Sequence, residues 1–150
     1  MLSALTIKGV LFSALLLTAA VWDIRKREIP DWIPLLILIT GILRIKPLDA
    51  VLGLALTGLP YLASAVLTRK NEGFTVGGGD IKHMAACGFV LGVWGGVLQS
   101  VAALTLTLIV GLGIRTCRRD KGMNTITFPL APFFCAGGIF SYGLMLIYAP

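Results

Sequence analysis

Apolar run follows apolar run along this chain, and that succession decides the solvent it folds in. Ala4 to Trp22 carries a single charge, Lys8, and as a helix rising about 1.5 Å per residue it matches the thickness of a bilayer's hydrocarbon layer. Further runs of the same kind follow it. Hydrophobic residues make up 57 % of the 150 positions and charged residues 13 %, where an ordinary soluble domain has about 25 % charged. Backbone in hydrocarbon must satisfy its own hydrogen bonds, which a helix does within one segment. The expectation is an all-α, polytopic protein of the cytoplasmic (inner) membrane, with 1–150 forming a single transmembrane domain.

Six spans can be read in order: Ala4 to Trp22, Trp32 to Leu43, Ala50 to Thr68, Asp80 to Trp94, Val97 to Ile114 and Pro129 to Tyr148. The first competes with a signal peptide, in which Lys8 is the basic region and Ala19 and Ala20 the small-residue site. Asp23 directly behind it and the apolar spans beyond favour a retained helix. Asp31 stands where an N-cap for the second span would be, and this span reaches Ile45 if Arg44 and Lys46 extend to the far interface. Pro60 predicts a kink in the third span, Gly95 and Gly96 a stop between the fourth and fifth, and Tyr142 and Tyr148 interface anchors on the sixth.

Charge orients the spans. With the N-terminus outside, the inner loops and boundaries hold Arg25, Lys26, Arg27, Arg69, Lys70, Lys82, Arg115, Arg118, Arg119 and Lys121, and the outer regions hold only Lys8, Arg44 and Lys46. Basic residues collect in cytoplasmic loops, so both termini are predicted outside. The same rule explains the net charge of +6 without any nucleic acid. It also puts two aspartates at one boundary, because Asp23 closes the first span as it reaches the cytoplasmic face and Asp80 opens the fourth as it leaves that face.

Asp80 ends the run Gly77, Gly78, Gly79, Asp80. A carboxylate at the edge of a membrane helix is costly and points to function, and glycines let backbone or substrate come close to it. On those residues alone, a glycine turn with an N-capping aspartate explains the run equally well. The second aspartate changes the balance. Two carboxylates that meet at a partly dry boundary can share one proton, the ionised one taking a proton from water while the protonated one polarises a carbonyl. Such chemistry uses no metal, no nucleophilic side chain and no cofactor.

The other inventories are thin. Cys87, Cys117 and Cys135 have no Cys-x-x-Cys spacing and suggest neither a zinc site nor a disulfide framework, and Cys87 and Cys135 read as small core residues. His83, the one histidine, shares a helical face with Asp80 and Cys87 and reads as a boundary residue with local hydrogen bonds. Lys82 either supports the charge of Asp80 and orients its loop or reaches out to the interface. The segment 71–76, with Gly77 and Gly79, is a candidate gate over the aspartate.

Together these residues resemble the type IV prepilin peptidases, which are membrane aspartic proteases. Gly77-Gly78-Gly79-Asp80 is similar to the family's Gly-x-Gly-Asp motif. Asp23 before Ile29 and Pro30 resembles its first aspartate and Ile-Pro element, and Pro129, Pro132 and Phe133 resemble its Pro-x-x-Pro-Phe approach to the last span. The resemblance implies a catalytic pair of Asp23 and Asp80, supported by Gly77, Gly79 and Lys82. Its implied substrates are prepilins or pilin-like proteins, each with a short basic leader ahead of an apolar helix and cut at the cytoplasmic membrane face. Large bacterial members also methylate the new N-terminus and carry paired Cys-x-x-Cys elements. Those cysteines are missing here, so the resemblance is to the short forms, such as those of tight-adherence pilus systems and archaeal preflagellin peptidases, and it does not carry methyl transfer with it. The rival reading is a non-catalytic membrane scaffold or small transporter whose aspartates cap helices or bind a cation.

Overall fold

The computed structural model describes residues 2–43, 46–68, 77–117 and 129–148, and among these every regular element is helical. Five helices follow one another: α1 (Leu2–Lys26), α2 (Trp32–Ile42), α3 (Pro47–Thr68), α4 (Gly78–Cys117) and α5 (Ala131–Tyr148). Four of them contain stretches long and apolar enough to cross a membrane, namely Ala4–Lys26, Pro47–Leu67, Gly78–Ile114 and Ala131–Tyr148. At about 1.5 Å per residue, α2 covers roughly 16 Å and is shorter than the hydrocarbon layer.

The first helix outruns its apolar stretch. It continues through Lys26, so Asp23 lies in its last turn, past Trp22 where the first apolar run ends. Arg25 and Lys26 in that turn complement the negative end of the helix dipole. Arg27 then enters the left-handed region at φ 55° and donates its N–H to the Asp23 carbonyl at 2.8 Å, which ends the helix. Edge-to-face contact between Trp22 and Trp32, 5.9 Å between centroids, joins the end of α1 to the start of α2.

Small residues set the packing of α3 on α4. Gly53 and Gly88 face each other so closely that a methyl group on either would strike the other's carbonyl, and one on Gly88 would also strike the Thr57 hydroxyl. That hydroxyl lies 2.9 Å from the Gly53 carbonyl of its own helix and 2.9 Å from the Met84 carbonyl across the interface, and shares its one hydrogen between them. Close approach through glycine plus an interhelical hydrogen bond is the usual way apolar helices adhere where lipid removes the hydrophobic drive. On the other side α5 lies between α1 and α4, with Ser141 donating to the Gly95 carbonyl at 2.7 Å and Gln99 to the Phe134 carbonyl at 3.0 Å. The predicted anchor Tyr142 is instead buried, its ring against Phe12 and its hydroxyl donating to the Leu5 carbonyl. Tyr148 is exposed. Cys87 and Cys135 are buried in the core as read from the sequence.

The break in α4 falls at Gly92 and not at Gly95 and Gly96. Gly92 has φ 71°, ψ −169°, a conformation that L side chains rarely adopt, and it divides the helix into 78–91 and 93–117. Asp49 from the first turn of α3 accepts the Val93 N–H at 3.0 Å, capping the second half. Glycine alone does not locate such a break, because Gly95 and Gly96 are used for packing, the first against Leu91 and Met145 and the second against Thr57 and Gly88. Pro60 sits inside α3, which runs through it as one helix.

Gly88→Ala should lower stability by about 1–3 kcal/mol through overpacking. Gly111→Ala, in open space on the same helix, should leave it unchanged or slightly raised. Thermal unfolding in one detergent, with the parent alongside, measures both.

Candidate active site

The end of α1 and the beginning of α4 lie at the same end of the bundle, connected through Ile29 of the link after α1. Asp23 is only 6 % exposed, and its Oδ2 accepts the Ala131 N–H at 2.9 Å. Ala131 opens α5 between Pro129 and Pro132. Pro132 has no N–H to offer, and the N–H groups of Phe133 and Phe134 turn back to the Leu130 carbonyl at 3.0 and 3.1 Å. The donor left at the start of the helix is therefore Ala131, and Asp23 takes it. Sequence reading found the proline element but not its partner. The pattern holds a weak clue, since two prolines around a short interval leave few N–H groups to aim at a carboxylate.

Asp80 lies in the first turn of α4, half-buried, with its own N–H and that of Ile81 donating to the Gly77 carbonyl at 3.1 and 3.3 Å. The three glycines before it are not equivalent. A Cβ on Gly79 would come within 3.1 Å of the Ile29 carbonyl oxygen and 3.3 Å of the Ile29 Cβ, one on Gly77 would just touch Asp80 Oδ2 at 3.4 Å, and one on Gly78 would meet nothing. The turn is thus seated on Ile29, in the link that follows Asp23. This brings the two carboxylates into electrostatic range of each other. Tyr61 of α3 lies within range of Asp80 as well.

Lys82 is not on Asp80. Its Nζ pairs with Asp31 Oδ1 at 2.8 Å, and both side chains are mostly exposed. Asp31 accordingly makes no side-chain cap for α2, although it occupies the N-cap position. The pair ties the start of α2 to the start of α4 at the rim of the site. Lys26 is likewise occupied, with its ammonium 4.8 Å from the centre of the Trp22 ring.

His83 departs furthest from its expected place. It is fully buried, stacks on Phe134 with centroids 6.2 Å apart, and neither ring nitrogen has a hydrogen-bond partner among the described residues. Helical spacing explains the shift. Three residues on from Asp80, the ring points along the same face but one turn deeper, towards α5. The other buried side-chain atoms without a partner are the Tyr61 hydroxyl, Gln99 Oε1 and Ser100 Oγ. Tyr61 meets Phe134 edge-on, Gln99 donates to the Phe134 carbonyl, and the Tyr61 hydroxyl faces Ser100. A patch of polar atoms therefore lies directly behind Asp80, of the kind that buried water occupies in proteins. The segment 71–76, read as a gate, lies outside the described residues. No cluster of three or more His, Cys, Asp or Glu side chains suited to a metal occurs among the described residues.

The type IV leader peptidase family matches residues 10–114, a stretch that takes in Asp23, Ile29, Pro30 and Gly77 to Asp80. The chain belongs to that family. Among its type IV leader peptidase relatives, the prepilin leader peptidase/N-methyltransferase of Bacillus subtilis (strain 168) is 34 % identical over 139 residues, covering 89 % of this chain and 54 % of that protein. The chain spans about half the length of this curated relative. No solved structure gives a significant match.

An exposed ion pair couples weakly. A double-mutant cycle on Asp31→Asn and Lys82→Gln, read by thermal unfolding, should return no more than about 1 kcal/mol. A markedly larger coupling would mean that the pair is enclosed when the protein sits in lipid.

Proposed function

We propose that this chain is a membrane aspartic endopeptidase that removes the short basic leader of prepilin or pilin-like proteins, with Asp23 and Asp80 as the catalytic pair. The observation carrying the proposal is that Asp23 and Asp80, far apart in sequence, lie at one end of a helical bundle within electrostatic range of each other. Family membership supports leader processing as the reaction. Charge distribution supports the cytoplasmic face, because α1 ends and α4 begins beside the basic residues of the inner loops. In this reading the chain crosses six times, with α2 and the two halves of α4 each counted as a crossing and both termini outside.

The chemistry follows from one shared proton. Two like charges at short range in a poorly solvated place do not both ionise cheaply, so the pair carries a single negative charge. The ionised carboxylate takes a proton from a water molecule as its oxygen attacks the scissile carbonyl carbon. The protonated carboxylic acid donates a hydrogen bond to the carbonyl oxygen, and collapse of the tetrahedral intermediate expels the amine with a proton from the pair. Ala131 holds one oxygen of Asp23 in place by its N–H, which leaves the other for water. The polar atoms of Tyr61, His83, Gln99 and Ser100 keep water close behind Asp80 in a wall that is otherwise apolar. A substrate's basic leader stays on the wet side, its apolar helix enters the bilayer, and the bond between them lies at the depth of the aspartates.

Asp23→Asn and Asp80→Asn should each reduce leader removal from a co-expressed prepilin by about 100-fold or more, at normal membrane abundance. Mobility of the uncut and cut substrate on a gel reads the outcome, and normal cleavage by either mutant would sink the dyad.

The unequal glycines supply a finer test of the same site. Gly79→Ala presses on Ile29 and should slow cleavage clearly, while Gly78→Ala should cleave like the parent. Equal behaviour of the two would remove Ile29 as the seat of the turn.

A further inference from the structure

At the end of the bundle away from Asp23 and Asp80 lies a cavity of about 290 Å³ that leader processing does not use. Lys8 lines it, about 22 Å along α1 from Asp23 by helix rise. Lys8 is 7 % exposed, and no group among the described residues accepts a hydrogen bond from it or pairs with it. So poorly solvated an ammonium favours an anion beside it, which the surroundings should supply. They do not do so from within. The one carboxylate on the cavity wall, Asp49, makes no ion pair with Lys8 and gives one oxygen to the Val93 N–H.

The rest of the wall is also electropositive. Lys46 lines it, and α3 begins there at Pro47, presenting the positive end of its dipole, while the second half of α4 begins at Val93 under the Asp49 cap. Lys8, Lys46 and Asp49 leave one net positive charge, which a single phosphodiester would balance. Leu5, Phe89, Leu91, Met145 and Leu146 supply apolar wall around these charges, and Met145 and Leu146 are themselves 40 % and 43 % exposed on the outside of the helices. A small hydrated ion makes no use of such walls, whereas a phosphate carrying acyl chains does.

We infer that this cavity binds the phosphate headgroup of an anionic phospholipid, with Lys8 as its principal ligand and the acyl chains leaving past Met145 and Leu146. The site is independent of the peptidase reading, since none of its residues belongs to the aspartate pair or its supports.

The test is a titration of the intact purified chain in detergent, followed by native mass spectrometry, with three probes: phosphatidylglycerol, diacylglycerol and inorganic phosphate. Phosphatidylglycerol should bind one to one. Lys8→Met should weaken it by about tenfold or more, the scale of one charge-assisted hydrogen bond, and Lys8→Arg should restore it. Leu146→Trp, at a half-exposed position on the wall, should obstruct the chains and weaken binding with Lys8 intact. This second variant keeps the result readable if Lys8→Met unfolds. Unchanged phosphatidylglycerol binding in folded Lys8→Met, or in Leu146→Trp, would overturn the site. Diacylglycerol binding as tightly as phosphatidylglycerol would remove the phosphate from the argument, and inorganic phosphate binding as tightly would remove the lipid.

Discussion

A backbone N–H or carbonyl shut away from water needs a partner, and the breaks in this bundle are shaped by that fact. Where α4 breaks at Gly92, Asp49 takes the Val93 N–H; where α5 begins between prolines, Asp23 takes the Ala131 N–H. Thr57, Ser141 and Tyr142 add donors to carbonyls of neighbouring helices. These polar bonds come from side chains on one helix to backbone on another. They therefore fix the arrangement of helices as well as satisfying single groups, and the glycine contacts between α3 and α4 determine how closely that arrangement can be drawn together.

The candidate site is a by-product of the same economy. Asp23 is held by the first N–H of α5, and the turn bearing Asp80 rests on Ile29, in the link that leaves α1. Three separated stretches of sequence, around Asp23, Gly77 to Asp80 and Pro129 to Pro132, thus become one local structure. Each has a physical task that a chance substitution would disturb: a carboxylate that caps, a glycine that lets backbone approach, and prolines that ration donors. Their joint appearance is more informative than any one of them.

Much of this was legible in the sequence. Helical class followed from apolar length, and the position of Asp23 and Asp80 at one end of the bundle agrees with counting the segments between them. What could not be read depended on contacts between segments distant in the chain. Gly92, Gly95 and Gly96 look alike on paper, and only Asp49 arriving from α3 selects Gly92 as the break. His83 reads as a boundary residue by its place in the sequence, yet the helix carries its ring one turn inward onto Phe134. Lys82 sits two residues from Asp80 but points to Asp31, because adjacent helical positions diverge by about 100° per residue. Asp31, in turn, spends its carboxylate on that lysine and caps nothing.

The break at Gly92 also alters what α4 is as a mechanical object. A continuous helix of 40 residues would behave as one beam, and any tilt needed at Asp80 would sweep its far end through the packed interior. Divided at a glycine, it is two shorter levers that fold back on each other, Gly96 packing on Gly88, with Asp49 capping the second at the corner. The lever bearing Asp80 is the shorter, and its other end forms part of the cavity beside Lys8. The placement of Asp80 thus belongs to the shorter half, while the longer half lies beside it as its support.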